Sequence, residues 1–308
     1  MKAIMYHYVR SFDESYPNFR FLDFNNFQKQ LDYFENEFGI VTRADWEDFA
    51  LRGETSGGSN EVILTFDDAM SCHYEFVFRE LKKRRLCGIF YVPTRPYTDE
   101  KMLDVHRIHL LCGRFEGRKL LEICNALITE EMIPFQKREE FKNRTYTRQS
   151  NYEGVSEFKR LLNYFVDESH KADVIDEISN ILDFDEYDTS FYVSEQDLKK
   201  MSQEGMIMGS HTVNHPVMSK LDPSSQKSEI SLSFDFLESI CGTTHRTYCH
   251  PYGGFHSFDD HTVELLNEHN VAYSFNVESR DITAEDVKSN RQHLPRYDCN
   301  QFRFGSAS

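Results

Sequence analysis

Val62-Ile63-Leu64-Thr65-Phe66 runs directly into Asp67-Asp68. An unbroken apolar and β-branched run of this kind predicts a strand buried on both faces, as in parallel sheets. A helical pattern follows over roughly 73–85, and Gly88 to Val92, closed by Pro93, predicts a second strand. Strand, helix and strand within about 30 residues make a βαβ unit. The two acids fall at the C-terminal end of the first strand, where parallel α/β folds collect their sites. Adjacent carboxylates in a partly buried place lose hydration and repel each other, so a cation or metal must offset them. Read alone, the pair is equally compatible with helix caps or a surface turn.

The reading extends outward in both directions. Residues 3–9 predict a short opening strand. Phe24, Phe27, Leu31, Phe34 and Phe38 fall at helical spacing over 24–38, with Gly39 as the stop. Thr55 to Asn60, with Gly57 and Gly58, predicts a loop. From Pro96 to Thr189 strand-like runs vanish and helical periods dominate, so 96–189 is expected to be a helical insertion or cap. The acids crowding 167–188 are expected to form a solvated helix face. The α/β rhythm then resumes. Ser194 caps a helix to Gln203, Ile207 to His211 is a strand, and Asp222 or Ser224 starts a helix that runs to Ile240 and ends at Gly242. Arg246 to His250 is a strand, Phe258 to Glu268 a helix, and Val271 to Val277 a strand.

Length and composition set the outer limits. The chain has 308 residues, 39% hydrophobic and 28% charged, with 51 Asp+Glu against 35 Lys+Arg and a formal charge of −16. Its length suggests one large domain or two modest ones, and its aromatic content excludes a disordered chain. The charge argues against a nucleic-acid partner. The seven cysteines form no CxxC pair and are odd in number, which fits reduced thiols and a cytoplasmic location. The N-terminus lacks a signal-peptide pattern, and no stretch is apolar enough to predict a transmembrane segment. Nothing in the sequence bears on the oligomeric state.

Two further clusters carry chemistry. His211-Thr212-Val213-Asn214-His215 places two imidazoles four residues apart, close enough to share a metal. No Glu follows the first His, so any base must come from elsewhere. Pro216 disfavours helix at His215, which puts the pair on a turn after the strand. Two His with one carboxylate make an open divalent site, and the other aspartate of the pair is then left as a base. Thr247-Tyr248-Cys249-His250-Pro251-Tyr252-Gly253-Gly254 ends a third strand in a turn that exposes backbone N–H groups and an aromatic wall; an ordinary β-turn is the alternative.

Thr65-Phe66-Asp67-Asp68, His211 to His215 and Pro251-Tyr252-Gly253, in that order, resemble the first three motifs of the polysaccharide deacetylase family (NodB-homology domain, carbohydrate esterase family 4). Met5-Tyr6-His7-Tyr8-Val9 and Leu294-Pro295-Arg296 resemble elements of its surface-polysaccharide branch. The resemblance implies an α/β fold, a distorted (β/α)7-type deacetylase barrel with a helical insertion. The barrel is expected from residues 1–95 and 190–308, and the insertion from 96–189. It further implies Asp68, His211 and His215 as ligands of a divalent metal, with zinc first and iron, cobalt, nickel or manganese also suited to that donor set. Asp67 corresponds to the general base, and Tyr252 to the residue whose backbone N–H helps hold the oxyanion. Pro251, Tyr252 and Gly253 are expected to line the substrate.

The implied reaction is hydrolysis of an N-acyl amino sugar. Water attacks the amide, Asp67 takes its proton, and a general acid protonates the departing amine, leaving acetate and a free amino sugar. Three positions depart from the family pattern. Ala69 stands where Gly is usual. Cys249 occupies the place of an arginine that orients the base, and Arg296 is the candidate replacement. Gln292-His293-Leu294 inverts the usual order around the acid, making His293 the candidate, with His250 and His7 as rivals. His106 and His109 read as polar helix residues, with substrate contact as the alternative. Tyr252, Phe255 and Trp46 are candidates to stack on a sugar, although wall or core packing is the default for Trp46.

The expected substrate is an N-acylated amino sugar that is free, nucleotide-linked or lipid-linked, a precursor in surface-glycan biosynthesis. An anionic carrier would need basic residues near the site despite the overall charge. A deformylase or other amidohydrolase of the same fold is one alternative. A non-catalytic glycan-binding module on a degenerate scaffold is another.

Overall fold

The computed structural model describes residues 1–53, 60–139, 154–185, 187–242 and 245–307. Residues 55–59 of the expected Thr55–Asn60 loop, and Glu186 of the acidic run, lie outside the described residues. The strands are β1 (Lys2–Tyr6), β2 (Val9–Arg10), β3 (Leu22–Asp23), β4 (Val62–Asp67), β5 (Ile89–Val92), β6 (Ile207–Ser210), β7 (Arg246–Cys249), β8 (Val271–Phe275) and β9 (Tyr297–Asp298). Seven of them form one parallel sheet in the order β8-β7-β6-β5-β4-β1-β9, while β2 and β3 pair separately.

Strand alternation divides the apolar runs between two cores. Ala3, Ile63, Ile89, Tyr91, Ile207, Cys249, Tyr273 and Phe275 meet on one face of the sheet. Ile4, Tyr6, Val62, Leu64, Phe66, Phe90 and Met208 point the other way, against Phe27, Leu31 and Phe34 of the helix Phe24–Glu37 and Leu198 and Met201 of the helix Glu195–Gln203. β4, β5 and β6 are therefore buried on both sides along their whole length. The sheet curls, and a single stretch of chain nearly closes it. Leu294 bridges to Phe275 at the end of β8, and Tyr297 and Asp298 pair with Ile4 and Met5 of β1. Trp46 lies within the inner core: its indole N–H donates to the Tyr273 hydroxyl at 2.9 Å, and its ring stacks on Phe275. It is a packing residue rather than a sugar platform.

The chain divides into two compact units. The first comprises Met1–Ser11, Phe21–Lys101 and Thr189–Ser308. The second comprises Phe12–Arg20 and Met102–Asp188, and its main helices are Asp104–Arg114, Gly117–Leu127 and Glu168–Leu182. The segment Phe12–Arg20 joins this helical unit, with the Asn18 N–H on the Gly113 carbonyl and Phe19 against Gly113 so closely that a Cβ there would stand 2.6 Å from the ring. The acidic run is only partly a solvated face. Asp167 caps its helix, Glu168 pairs with the buried Lys171, and Asp176 pairs with Arg107. His106 is fully buried in this unit rather than on a polar surface, with the His109 ring 6.1 Å away.

Several boundaries differ from the sequence reading: the strands from Ile207 and Arg246 each stop one residue earlier, at Ser210 and Cys249, and the helix expected from Phe258 starts at Asp260. The opening strand stops at Tyr6, and the His7 carbonyl accepts from His73 Nε2 at 2.6 Å. The helix expected over 73–85 opens as one wide π-turn, His73–Phe78, before its α-helical part, Arg79–Arg84. The strand from Val271 ends at Phe275 because the next residue, Asn276, turns its N–H to the Leu294 carbonyl.

Candidate metal and catalytic centre

The three motifs meet at the C-terminal edge of the sheet, each at the end of a strand. Asp67 closes β4, and Asp68 and Ala69 then turn with φ of 81° and 49°. His211 follows β6 with its N–H on the Val92 carbonyl; Thr212 and His215 have φ of 66° and 55°. Tyr252, in the turn after β7, has φ 62°. Left-handed backbone costs a residue with a side chain about 1–3 kcal/mol and gathers where a site over-determines the chain. Among the described residues, five of the ten such non-glycine residues stand in these three turns. Gly253 is the glycine this geometry requires: at φ 68°, any Cβ would lie 2.3 Å from Val277 Cγ2.

Asp68, His211 and His215 are all buried, and one ligand atom of each converges on a common point. Asp68 Oδ1 is 3.5 Å from His211 Nε2 and 3.7 Å from His215 Nε2, with the two rings 4.6 Å apart. His211 Nδ1 lies 2.8 Å from the Cys249 carbonyl, which only accepts. The ring proton therefore sits on Nδ1, and Nε2 turns its lone pair inward, the arrangement of a metal-ligating histidine. Burial lowers the His211 pKa, which favours the neutral ligand form. A carboxylate with two neutral imidazoles fits a divalent cation well.

Beside this group, Asp67 is gripped by Arg296. Nη1 and Nη2 each donate to one carboxylate oxygen at 2.8 Å, and both side chains are buried. Nη1 also donates to Thr65 Oγ1 at 3.1 Å, Nε to the Asn276 carbonyl at 3.1 Å, and Nη2 approaches Cys249 Sγ at 2.9 Å. Burial pushes the Asp67 pKa up, but the guanidinium more than offsets this, leaving it at about 2. Asp67 is thus ionised at neutral pH. Arg296 reaches it because Leu294 to Asp298 spans the gap between β8 and β1. Cys249 is small enough to leave room, and burial keeps its thiol protonated.

The remaining candidates lie in the turn after β7, which carries His250, Pro251, Tyr252, Gly253 and Phe255, and in the short helical turn Arg291–His293 that follows β8. The Tyr252 ring packs 4.9 Å from His215, with Pro251 and Gly253 on either side in the turn. His293 stands against the aromatic wall, 5.8 Å from the Phe255 ring and 6.4 Å from Phe258, with a buried Nδ1 that has no partner among the described residues. Phe255 itself is 55% exposed. His250 is stacked on Phe258 at 3.8 Å and donates from Nε2 to the Gln292 carbonyl at 2.7 Å; burial brings its pKa down to about 3. A ring so held neutral is a wall residue and is unsuited to giving up a proton near neutrality.

Sequence reading passed over Glu229, whose carboxylate grips the loop between the two histidines. The available signal was an acid on the buried stripe of a helix, among Gln226, Ile230, Ser233, Phe234 and Leu237.

The family model for polysaccharide deacetylase matches residues 54–274. Among solved structures, the chain is similar to the Streptococcus pyogenes deacetylase PplD in complex with acetate (TM-score 0.59, 16% identity, 97% of this chain and 91% of that one). It is similar to a de-N-acetylase from Aggregatibacter actinomycetemcomitans (TM-score 0.54, 13% identity, 96% and 93% covered). It is also similar to the BpsB deacetylase domain from Bordetella bronchiseptica (TM-score 0.53, 12% identity, 96% and 94% covered). At these identities the likeness is one of fold. No curated protein matches the sequence.

Proposed function

The chain belongs to the polysaccharide deacetylase family, and from that premise we propose that it hydrolyses the N-acetyl group of an amino sugar in a surface-glycan precursor, using a divalent cation held by Asp68, His211 and His215. The observation that carries this reading is the convergence of those three ligand atoms beside a second aspartate that Arg296 keeps ionised. When bound, a divalent cation supplies Lewis acidity toward water and the amide oxygen. Asp67 accepts the proton of the attacking water, and Arg296 fixes both of its oxygens so that it meets the substrate in one orientation. The backbone N–H of Tyr252 stabilises the oxyanion. As the C–N bond breaks, His293 gives a proton to the amine, so that water is consumed and acetate and a free amine leave. Zinc is the first choice of cation for one carboxylate and two imidazoles.

All seven cysteines are unpaired, which supports a reducing, cytoplasmic setting and hence a free, nucleotide-linked or lipid-linked substrate. A screen of acetate and formate release over N-acetyl and N-formyl amino sugars, free and as nucleotide conjugates, tests the reading. Acetate release is expected. Formate release alone would favour a deformylase, and release of neither would overturn hydrolysis of these amides.

A further inference from the structure

The loop between the two ligand histidines is held from outside by a residue that belongs to no motif. The helix Pro223–Cys241 buries Gln226, Glu229, Ile230, Ser233 and Phe234 on one face, the spacing of residues stacked along a helix. Glu229 is 8% exposed. Its Oε2 accepts the backbone N–H groups of Val213 and Asn214, both at 2.9 Å, and its Oε1 accepts from Asn214 Nδ2 at 2.5 Å. One turn along, Ser233 Oγ lies 2.6 Å from Ser210 Oγ, which itself accepts the Thr212 N–H at 3.2 Å. The amides of residues 212, 213 and 214 are therefore tied, directly or through Ser210, to one helix face.

The loop has need of such a grip. Thr212 and His215 both lie in the left-handed region, at φ 66° and 55°, which disfavours side-chain-bearing residues. Burying a carboxylate is itself unfavourable unless its hydrogen bonds are replaced, and the hydrogen bonds found for Glu229 all go to this loop. A glutamine of the same shape could keep its one oxygen on the two backbone N–H groups only if the Asn214 amide turned over to meet its NH₂, and it would lose the charge that strengthens all three bonds. Charge, and not shape alone, fits Glu229 to the place.

We propose that Glu229 is the positioning residue of the cation site: it presets the 212–215 loop so that His215 Nε2 already stands beside His211 and Asp68 before a cation arrives. The proposal rests on the reading of Asp68, His211 and His215 as a cation site. Groups that orient metal ligands typically contribute about 10–100-fold in affinity, and Glu229→Gln is expected to weaken Zn²⁺ binding by about that factor.

The test is chelator-competition titration of Zn²⁺ into the metal-free full chain for wild type, Glu229→Gln, Glu229→Asp and the exposed same-helix control Asp235→Asn, with circular-dichroism melting of each. The expected result is a cooperatively folded Glu229→Gln with weakened Zn²⁺ affinity, next to an unchanged Asp235→Asn. A purely structural role would lower the melting temperature and leave the affinity of the folded protein alone. Zn²⁺ affinity within twofold of wild type in folded Glu229→Gln overturns the proposal. If that variant does not fold, Glu229→Asp decides: its carboxylate is kept but set back by one methylene, so weaker binding by tenfold or more supports the proposal and unchanged binding overturns it. Wild type that takes up no Zn²⁺ overturns the cation site itself, and this inference with it.

Discussion

Arg296→Met removes the one cation that, among the described residues, forms an ion pair with Asp67, while keeping most of the side-chain volume. Both partners are nearly inaccessible, at 1% and 3% side-chain exposure, and two charge-assisted hydrogen bonds of 2.8 Å are lost at once. The nearby Thr65 hydroxyl offers no replacement, because it donates to the Ile4 carbonyl. Asp67 is left as a buried charge with no cation against it and, among the described residues, only the weak Cys249 thiol donating to it at 3.5 Å, a change that costs about 3–5 kcal/mol. Against a total stability of about 5–15 kcal/mol, the variant stands near the edge of folding. Removing the charge as well, in Asp67→Asn/Arg296→Met, should recover most of that loss, since an amide in the same place lacks only hydrogen-bond partners and costs about 1–3 kcal/mol. The assay is urea unfolding of the metal-free chain for wild type, both single variants and the double variant, read as a double-mutant cycle. The coupling should be large, with the double variant more stable than Arg296→Met. If Arg296→Met costs less than about 1 kcal/mol, or if the two changes simply add, the pair is not the buried, mutually dependent unit described above.

Two other substitutions test the surrounding structure. Gly253→Ala should destabilise the turn after β7 and lower acetate release together, because the new methyl meets Val277 at φ 68°; unchanged melting and turnover would show that the turn relaxes freely. His73 is buried neutral, with its pKa lowered from 6.5 to about 4 mainly by burial. The unfolded chain therefore binds a proton between those values that the folded chain does not, so stability falls as pH drops from 6.5 toward 4, by up to about 3 kcal/mol from this group. His73→Phe, which keeps a ring against Phe66 and Phe90, should be less stable than wild type at neutral pH through loss of the hydrogen bond to His7, yet show a shallower acid slope over that window. Parallel slopes for the two proteins would contradict the assignment.

What could be read from the sequence was what neighbouring residues encode. The apolar run before Asp67, the strand ends that carry the three motifs, and the caps at Ser194 and Asp222 all follow from local pattern. The pairing of Arg296 with Asp67 spans 229 positions; no periodicity reveals it, and only family resemblance suggested it. Glu229 was hidden for a related reason: its partners are backbone amides, which leave no mark on residue type. Pro216 argued against helix at His215, but the left-handed turns at Asp68, Thr212 and Tyr252 were not apparent, because such strain is imposed by the assembled site. The overlong opening strand shows the converse. Residues 7–9 look continuous with the strand locally, and yet the chain breaks at His7, whose carbonyl bonds to His73, and Val9 resumes in the separate β2–β3 pair.

The central claim is that Asp68, His211 and His215 hold a divalent cation while Asp67 serves as the base. Metal content and acetate release measured on the same preparations of wild type, His211→Ala and Asp67→Asn test it most directly. The account predicts a bound divalent ion in wild type and in Asp67→Asn, its loss in His211→Ala, and acetate release by wild type alone. Asp67→Asn that turns over substrate as fast as wild type, or His211→Ala that keeps its full complement of metal, would contradict it.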